Sequence, residues 1–401
     1  MFVEIIIAVF LGILAGCVTG LIPGIHVNLI SVVLLSLSVY FLNFVDGFTL
    51  GAFIVAMAIT HTFLDTIPSI FLGAPDSDSV LAVLPGHKML LNGEGYKAIK
   101  LTVIGSLFGL FLSVLLIPIL IPVVSFIYSY IENLIGWLLV LVVLFMLYKE
   151  RGKIFWGLWQ FLLAGVLGLI VLNVNGLNHP LLAMLSGLFG ISTLVISLNS
   201  RVKIPKQKLD GCIKMSRSRW FRAIGISIFS GGSVALLPGL GSAAAGVMGN
   251  ELTGNLGDQG FLVLIGGIST VNMTVSLLTF YALLKARNGA IVVVKEIISS
   301  IGFFDLIGLL GVCLVAGSIA ALLALFLSRK FASRINKINY RMLVFVIIGF
   351  VSVLVFYFSG WLGGLVMIVS MFVGMIPSFT GVKKSLNMGC LMLPVMIWFL
   401  I

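Results

Sequence analysis

Uncharged apolar runs of about 20 residues, the length that crosses a bilayer as a helix, succeed one another from near residue 5 to residue 401. Only 9% of residues are charged and mean hydropathy is +1.24, against roughly 25% charged in ordinary soluble domains. Lipid offers no hydrogen bonds to a bare backbone, so such a chain folds as an all-α polytopic membrane protein. Little length is left over for a soluble domain.

Two of the runs are broken in the same way. Residues 16–29 read GCVTGLIPGIHVNL and residues 231–244 read GGSVALLPGLGSAA, so that one offset superposes Gly16 on Gly231, Leu21 on Leu236, Pro23 on Pro238 and Gly24 on Gly239. Proline removes a helical hydrogen bond and glycine admits backbone angles closed to other residues. Interrupted backbone at membrane depth survives only where protein or a wet cavity satisfies it. The reading is two repeats, each with a Pro-Gly-broken, re-entrant helical hairpin, and a polar site between them.

Basic residues divide the chain. Arg201, Lys203, Lys206, Lys208, Lys214, Arg217, Arg219 and Arg222 lie between apolar blocks, which sets the organisation as membrane repeat A (1–198), a basic cytoplasmic linker (199–222) and membrane repeat B (223–401). Net charge of +11 therefore reads as orientation by the positive-inside rule and not as nucleic-acid binding, since no recognition module accompanies it. With the basic segments at 149–153, 201–222, 329–341 and 383–384 inside, the second half starts inside and the first half starts outside. The repeats are then inverted. Lys285, Arg287 and Lys295 fall on the outer side against the rule, which leaves two readings: they line a cavity, or the count is off by one crossing. Four scattered cysteines indicate neither a metal cluster nor a disulfide framework.

Polar residues cluster at three places. Flanking the breaks are Pro23, Gly24, His26 and Asn28 in the first hairpin and Pro238, Gly239, Gly241 and Ser242 in the second, the expected substrate-binding residues. Near the end of a helix expected over about 50–64 stand Thr60, His61, Thr62 and Asp65, and in the second half Ser269, Thr270, Asn272 and Thr274. Hydroxyls, amides and one carboxylate in apolar helices suit ion coordination or a polar relay; Thr62, Asp65, Ser269 and Thr270 are assigned that role, and Asn272 is assigned to substrate. The third place, Asp76 and Asp78 in a turn-rich stretch, offers two carboxylates for a divalent metal, a pattern that also arises from helix caps. Lys285 and Arg287 add a positive pair in an apolar region, suited to an anionic solute.

Enzyme signatures are missing. No His-Glu-x-x-His, Gly-x-Ser-x-Gly or Walker-type loop occurs, so no catalytic residue, resident metal or cofactor is expected, and movement would draw on an ion gradient of Na+ or H+.

These motifs resemble the large membrane subunit of tripartite tricarboxylate transporters, the TctA-type permeases. The family's glycine-rich LPGLGP-like break is similar to Gly16–Gly24, and its LNTPGEPASVVTALDGYPMARQGRA segment resembles LGAPDSDSVLAVLPGHKMLLNGEG at 72–95, where Leu72 and Pro75 match directly and Ser79, Val80, Leu84, Gly86, Met89 and Gly93 match after a one-residue deletion. LLPGLGSAAAG at 236–246 is similar to the family's LPGPGAAVA. Where the family has PEAANNA this chain has Ser269, Thr270, Val271 and Asn272, and only Asn272 carries over.

What the resemblance implies is an inverted-repeat permease of the cell membrane whose hairpin tips meet near the membrane centre, importing a small organic anion, a di- or tricarboxylate. It also implies a small membrane subunit and an extracellular solute-binding protein as partners, besides the lipid bilayer. Two alternatives stay open at this point: a translocase for a polyprenyl-phosphate lipid carrier, and a metal-dependent membrane enzyme using Asp76 and Asp78.

Overall fold

The computed structural model describes residues 2–22, 40–72, 83–131, 134–150, 152–198, 205–209, 212–237, 241–254, 256–337 and 340–400, with isolated positions between 31 and 38. Among them the chain is helical and has no strand. Seven helices among the described residues are long and apolar enough to cross a membrane.

The first half consists of α1 (Phe2–Leu21), α2 (Gly47–Leu64), α3 (Thr66–Leu72), α4 (Val83–Leu91), α5 (Gly95–Ile131), α6 (Ile135–Tyr148), α7 (Ile154–Asn173), α8 (Pro180–Leu185), a π-helical turn (Ser186–Ile191) and α9 (Ser192–Leu198). The second comprises α10 (Arg217–Leu236), α11 (Ser242–Leu252), α12 (Gly257–Leu283), α13 (Gly289–Ile298), α14 (Phe303–Arg334), α15 (Tyr340–Thr380) and α16 (Gly389–Leu400). Most spans fall where the apolar runs place them. The apolar runs at 342–358 and 360–378 stand as two helices within α15, divided at Gly360, whose φ of 65° suits glycine. The polar stretch NELTGNLGDQ, read as a loop after the second break, is shorter as a loop than expected: residues 250–252 finish α11 and 257–259 open α12.

Lipid tails are as apolar as leucine, so helices in a bilayer associate through close packing of small residues. Glycines accordingly mark every tight joint. A Cβ added to Gly12, Gly16 or Gly20 of α1 would strike Phe53 O, Met57 O or Leu64 Cβ of α2 at 2.5, 2.5 and 2.9 Å; the register runs forward on both helices, so α1 and α2 are parallel. The chain between them must therefore return. In the second half, a Cβ added to Gly231 of α10 would strike Ile268 O at 2.8 Å and Val271 Cβ at 2.6 Å on α12. Met57 and Thr60 thus stand to Gly16 as Ile268 and Val271 stand to Gly231. This register pairs His61 with Asn272, two residues away from the alignment of Thr60 with Ser269 that the sequence suggests.

Cross-packing between the halves is reciprocal. Helix α5 packs along α12, with Gly105 against Val263 O and Gly109 against Gly267; α2 packs along α14, with Gly308 against Phe48 and Gly317 against Ile59 and Phe63. Thr66 of α2–α3 reaches Thr102 of α5, whereas Ile59 and Phe63 share Gly317 with Leu110, so α2 runs opposite to α5. Since α5 and α12 are parallel, α2 also runs opposite to α12.

A second bundle joins α6–α9 to α15 and α16, and its joints also come in pairs. Gly168 would clash with Cys390 O at 1.9 Å and Gly374 with Leu188 O at 2.1 Å; Gly389 faces Phe161 O and Gly187 faces Met367 O, both at 2.3 Å. Each joint unites a helix of one half with a helix of the other. Polar pairs add to these joints: Gln160 Nε2 donates to Asn387 Oδ1 at 2.6 Å and to Val373 O at 3.1 Å, and Lys384 Nζ donates to Thr193 Oγ1 at 2.9 Å.

Candidate functional site

Pro23, Gly24, His26, Asn28, Pro238 and Gly239 lie outside the described residues, as do Asp76 and Asp78. Gly241 and Ser242 are described. Ser242 opens α11 and is buried, and Gly241 faces Met388, whose Cε would lie 2.7 Å from an added Cβ.

Helix α11 runs back along α12. Gly249 abuts Leu264 and Ser230, and Gly246 abuts Ile265 and Ile268, so continuing one turn toward Ser242 brings the start of α11 level with residues near 270, the middle of α12. The N-terminal end of α11 is thus directed along α12 toward its middle, the stretch that holds Ser269, Thr270 and Asn272. These three residues are buried.

Of the assigned relay residues, Thr62 and Thr270 meet from helices distant in sequence. Thr62 Oγ1 donates to Ile59 O at 2.8 Å and lies 3.3 Å from Thr270 Oγ1, which joins α2 to α12 across the halves. Further along α12, Thr274 Oγ1 lies 2.7 Å from Ser113 Oγ on α5, and Ser106 Oγ donates to Gly266 O at 3.0 Å. Ser276 Oγ donates to Asn272 Oδ1 at 3.3 Å. Burial deprives these groups of water, so each hydroxyl returns its proton to a carbonyl one turn back or to a partner helix. The outcome is a polar seam along three otherwise apolar helices.

His61 and Asp65 are buried on the α1 side of the seam. Thr19 Oγ1 lies within hydrogen-bond distance of Gly16 O at 3.2 Å and of His61 Nδ1 at 3.1 Å, which ties α1 to α2. Asp65 ends α2, its N–H bonded to His61 O and its carbonyl receiving Ser69 Oγ at 2.9 Å. Thr60 is fully buried beneath Gly16, and its hydroxyl has no partner among the described residues. Sequence reasoning noted His61 without assigning it a role and missed Thr19, Ser106 and Ser113. No signal in α5 distinguishes its serines from ordinary backbone-bonding ones; their role follows from α12 lying against them.

Outside the spans, His87 of α4 is half-buried, with Nδ1 3.4 Å from Ile70 O; burial pushes its imidazole below the ordinary range and the carbonyl opposes this. Gln207 of the basic linker straps the corner between α4 and α5, accepting from Gly95 N–H at 2.8 Å and donating to Leu90 O at 3.0 Å.

Long apolar helices joined by small residues, with a buried seam of hydroxyls, amides and ionisable groups, define a multi-pass membrane protein of the transporter kind. Residues 6–389 match the model of the tripartite tricarboxylate transporter TctA family, and the chain belongs to that family. It is also 28% identical over 402 residues to an uncharacterized protein of Methanocaldococcus jannaschii, covering 97% of this chain and 98% of the relative. No solved structure matches it. The family supplies a component of a tripartite transporter, which works with other subunits.

Proposed function

We propose that the protein is a secondary-active permease of the cell membrane, not an enzyme, that moves a small di- or tricarboxylate with the help of an Na+ or H+ gradient. The substrate is held between two hairpin tips, by Pro23, Gly24, His26 and Asn28 on one side and Pro238, Gly239, Gly241 and Ser242 on the other, with Asn272 beside them. Thr62, Asp65, Ser269 and Thr270 serve the coupling ion. A small membrane subunit and an extracellular solute-binding protein complete the transporter.

One observation carries this reading: two helix pairs, α1 with α2 and α10 with α12, share a glycine joint while α2 and α12 run in opposite directions. Inverted repeats of this kind support alternating access around a central site, and the Thr62–Thr270 contact falls where the two pairs meet. Equivalent polar positions, His61 and Asn272, differ chemically, as expected if one repeat handles a proton or cation and the other the solute.

The test is thermal stability of the detergent-solubilised protein with di- and tricarboxylates and a short polyprenyl phosphate, with and without sodium. A ligand that binds only the folded state raises its melting temperature. Stabilisation by carboxylates, lost in Gly24→Trp and Gly239→Trp variants that still fold, is the expected result. Stabilisation by the polyprenyl phosphate alone would replace the permease reading with a lipid-carrier translocase.

A further inference from the structure

The paired joints of the second bundle obey one register. Phe161 and Gly168 of α7 stand to Gly389 and Cys390 as Met367 and Gly374 of α15 stand to Gly187 and Leu188. Carried a few steps along each helix, this register makes Val366 the counterpart of Gln160, Leu185 of Asn387, Leu182 of Lys384 and Val395 of Thr193. One joint has aliphatic residues where the other has two amides, an amine and a hydroxyl. Packing alone does not call for the polar set, and such groups within membrane helices are costly and mark function.

The polar four are held in place from both sides. Gln160 and Asn387 are fully buried; Gln160 Nε2 donates to Asn387 Oδ1 at 2.6 Å and Asn387 Nδ2 to Leu188 O at 3.4 Å, which fixes the 3-10 turn Lys384–Met388 against the π-helical turn. At the start of the 3-10 turn, Lys384 Nζ donates to Thr193 Oγ1 at 2.9 Å, and Thr193 Oγ1 donates to Phe189 O at 2.6 Å. Lys384 is half-buried. Among the described residues no carboxylate pairs with it, since Glu150 Oε2 at the same corner accepts from Lys383 N–H at 3.4 Å. Lys153 differs, with its amine committed to Thr380 O and Gly381 O at 3.0 and 3.3 Å. An ammonium carries three donors. A cation partly withdrawn from water and steadied by a neutral hydroxyl suits an anionic ligand, and a carboxylate makes the strong, charge-assisted bond.

The position fits the inner side of the solute path. Met388 ends the 3-10 turn and lies against Gly241, the residue that leads from the second hairpin into α11. Such a turn rises about 2 Å per residue, so Lys384 lies about 8 Å from Met388 along it. The charge pattern puts 383–384 on the inner face.

We propose that Lys384 binds a carboxylate of the solute on the inner side of the second hairpin, with Thr193, Gln160 and Asn387 as its positioning residues. The assignment rests on the permease reading above. It adds a fixed cation to a set of hydroxyls, amides, one histidine and one carboxylate, and so matches the charge of the solute.

The experiment measures uptake of citrate and succinate by the full chain in proteoliposomes, together with the melting temperature of each variant in detergent with and without citrate. Lys384→Gln should raise the KM for both solutes about tenfold with kcat little changed, as loss of a charged contact predicts, and should abolish the citrate-induced rise in melting temperature. Lys384→Arg should restore part of both. Lys383→Gln, at the exposed neighbour, should leave both as in the wild type; an equal effect there overturns the assignment to Lys384. Matching melting temperatures without citrate establish that the variants fold. Thr193→Val removes only the hydroxyl that steadies the amine and should raise the KM by a smaller factor, which keeps the test open where Lys384→Gln does not fold; a wild-type KM in Thr193→Val then overturns the site. Carboxylate uptake at the wild-type KM in Lys384→Gln overturns the site and leaves the permease standing, as does a fall in kcat alone. Neither uptake nor stabilisation by carboxylates in the wild type overturns both.

Discussion

The Thr62 hydroxyl on α2 lies 3.3 Å from the Thr270 hydroxyl on α12, so two residues separated by half the chain share one buried contact where oppositely running helices cross. Neither hydroxyl depends on the other for its proton, since each also reaches a carbonyl of its own helix. Thr62→Val and Thr270→Val should therefore cost only about 1 kcal/mol of stability each, the net worth of one hydrogen bond. Uptake driven by the coupling ion should fall far more than stability does. The two losses should be less than additive in the double variant, because both act on one contact; fully additive losses in transport would separate the residues.

The paired joints of the second bundle make a matched set. Gly168→Ala and Gly374→Ala each push a methyl into a backbone carbonyl, at 1.9 Å from Cys390 O and 2.1 Å from Leu188 O, and should each destabilise by about 1–3 kcal/mol through overpacking. Gly225→Ala on α10 meets nothing within 4 Å and should be neutral or slightly stabilising, since alanine favours the helix. Thermal melts of the three variants in one detergent decide the matter. Equal tolerance at all three positions would contradict the close approach.

Gln160 and Asn387 should behave as a unit. Gln160→Leu removes the donor to Asn387 Oδ1 and Val373 O and strands buried acceptors, at about 1–3 kcal/mol. Adding Asn387→Leu should recover part of that loss, because an apolar pair leaves fewer unsatisfied groups than half a polar one. A double variant less stable than either single one would refute the coupling.

His87 predicts a pH response outside the spans. Its folded-state pKa is lowered by burial, so the unfolded chain binds the proton more readily. The contribution of His87 is then fully present above the unfolded value of about 6.5 and is lost as pH falls below it. His87→Gln should flatten stability over that interval, measured by melting temperature between mildly acidic and neutral pH.

Much of the architecture was legible in the residue order, because membrane helices announce themselves by length and apolarity without reference to any partner. The boundaries of α1, α7 and α12 could be read that way to within a few residues, and so could the recurrence of Gly16 at Gly231, but α5 runs six residues earlier and four later than its apolar run at 101–127. The division at Gly360 was legible as the gap between two apolar runs, whereas the short helix α13 was not, since its ten residues are too few to read as a span.

For the site, sequence alone determined which residue types are available, a set of hydroxyls, amides, one histidine and one carboxylate sparse enough in apolar helices to stand out. The tertiary structure decided which of them meet. Side-chain contacts between helices depend on register, and register is set by where glycines let two backbones touch. That is why Gly16 and Gly231 align His61 with Asn272, why Ser113 becomes a partner of Thr274, and why Lys384, remote in the chain from Thr193, meets its hydroxyl.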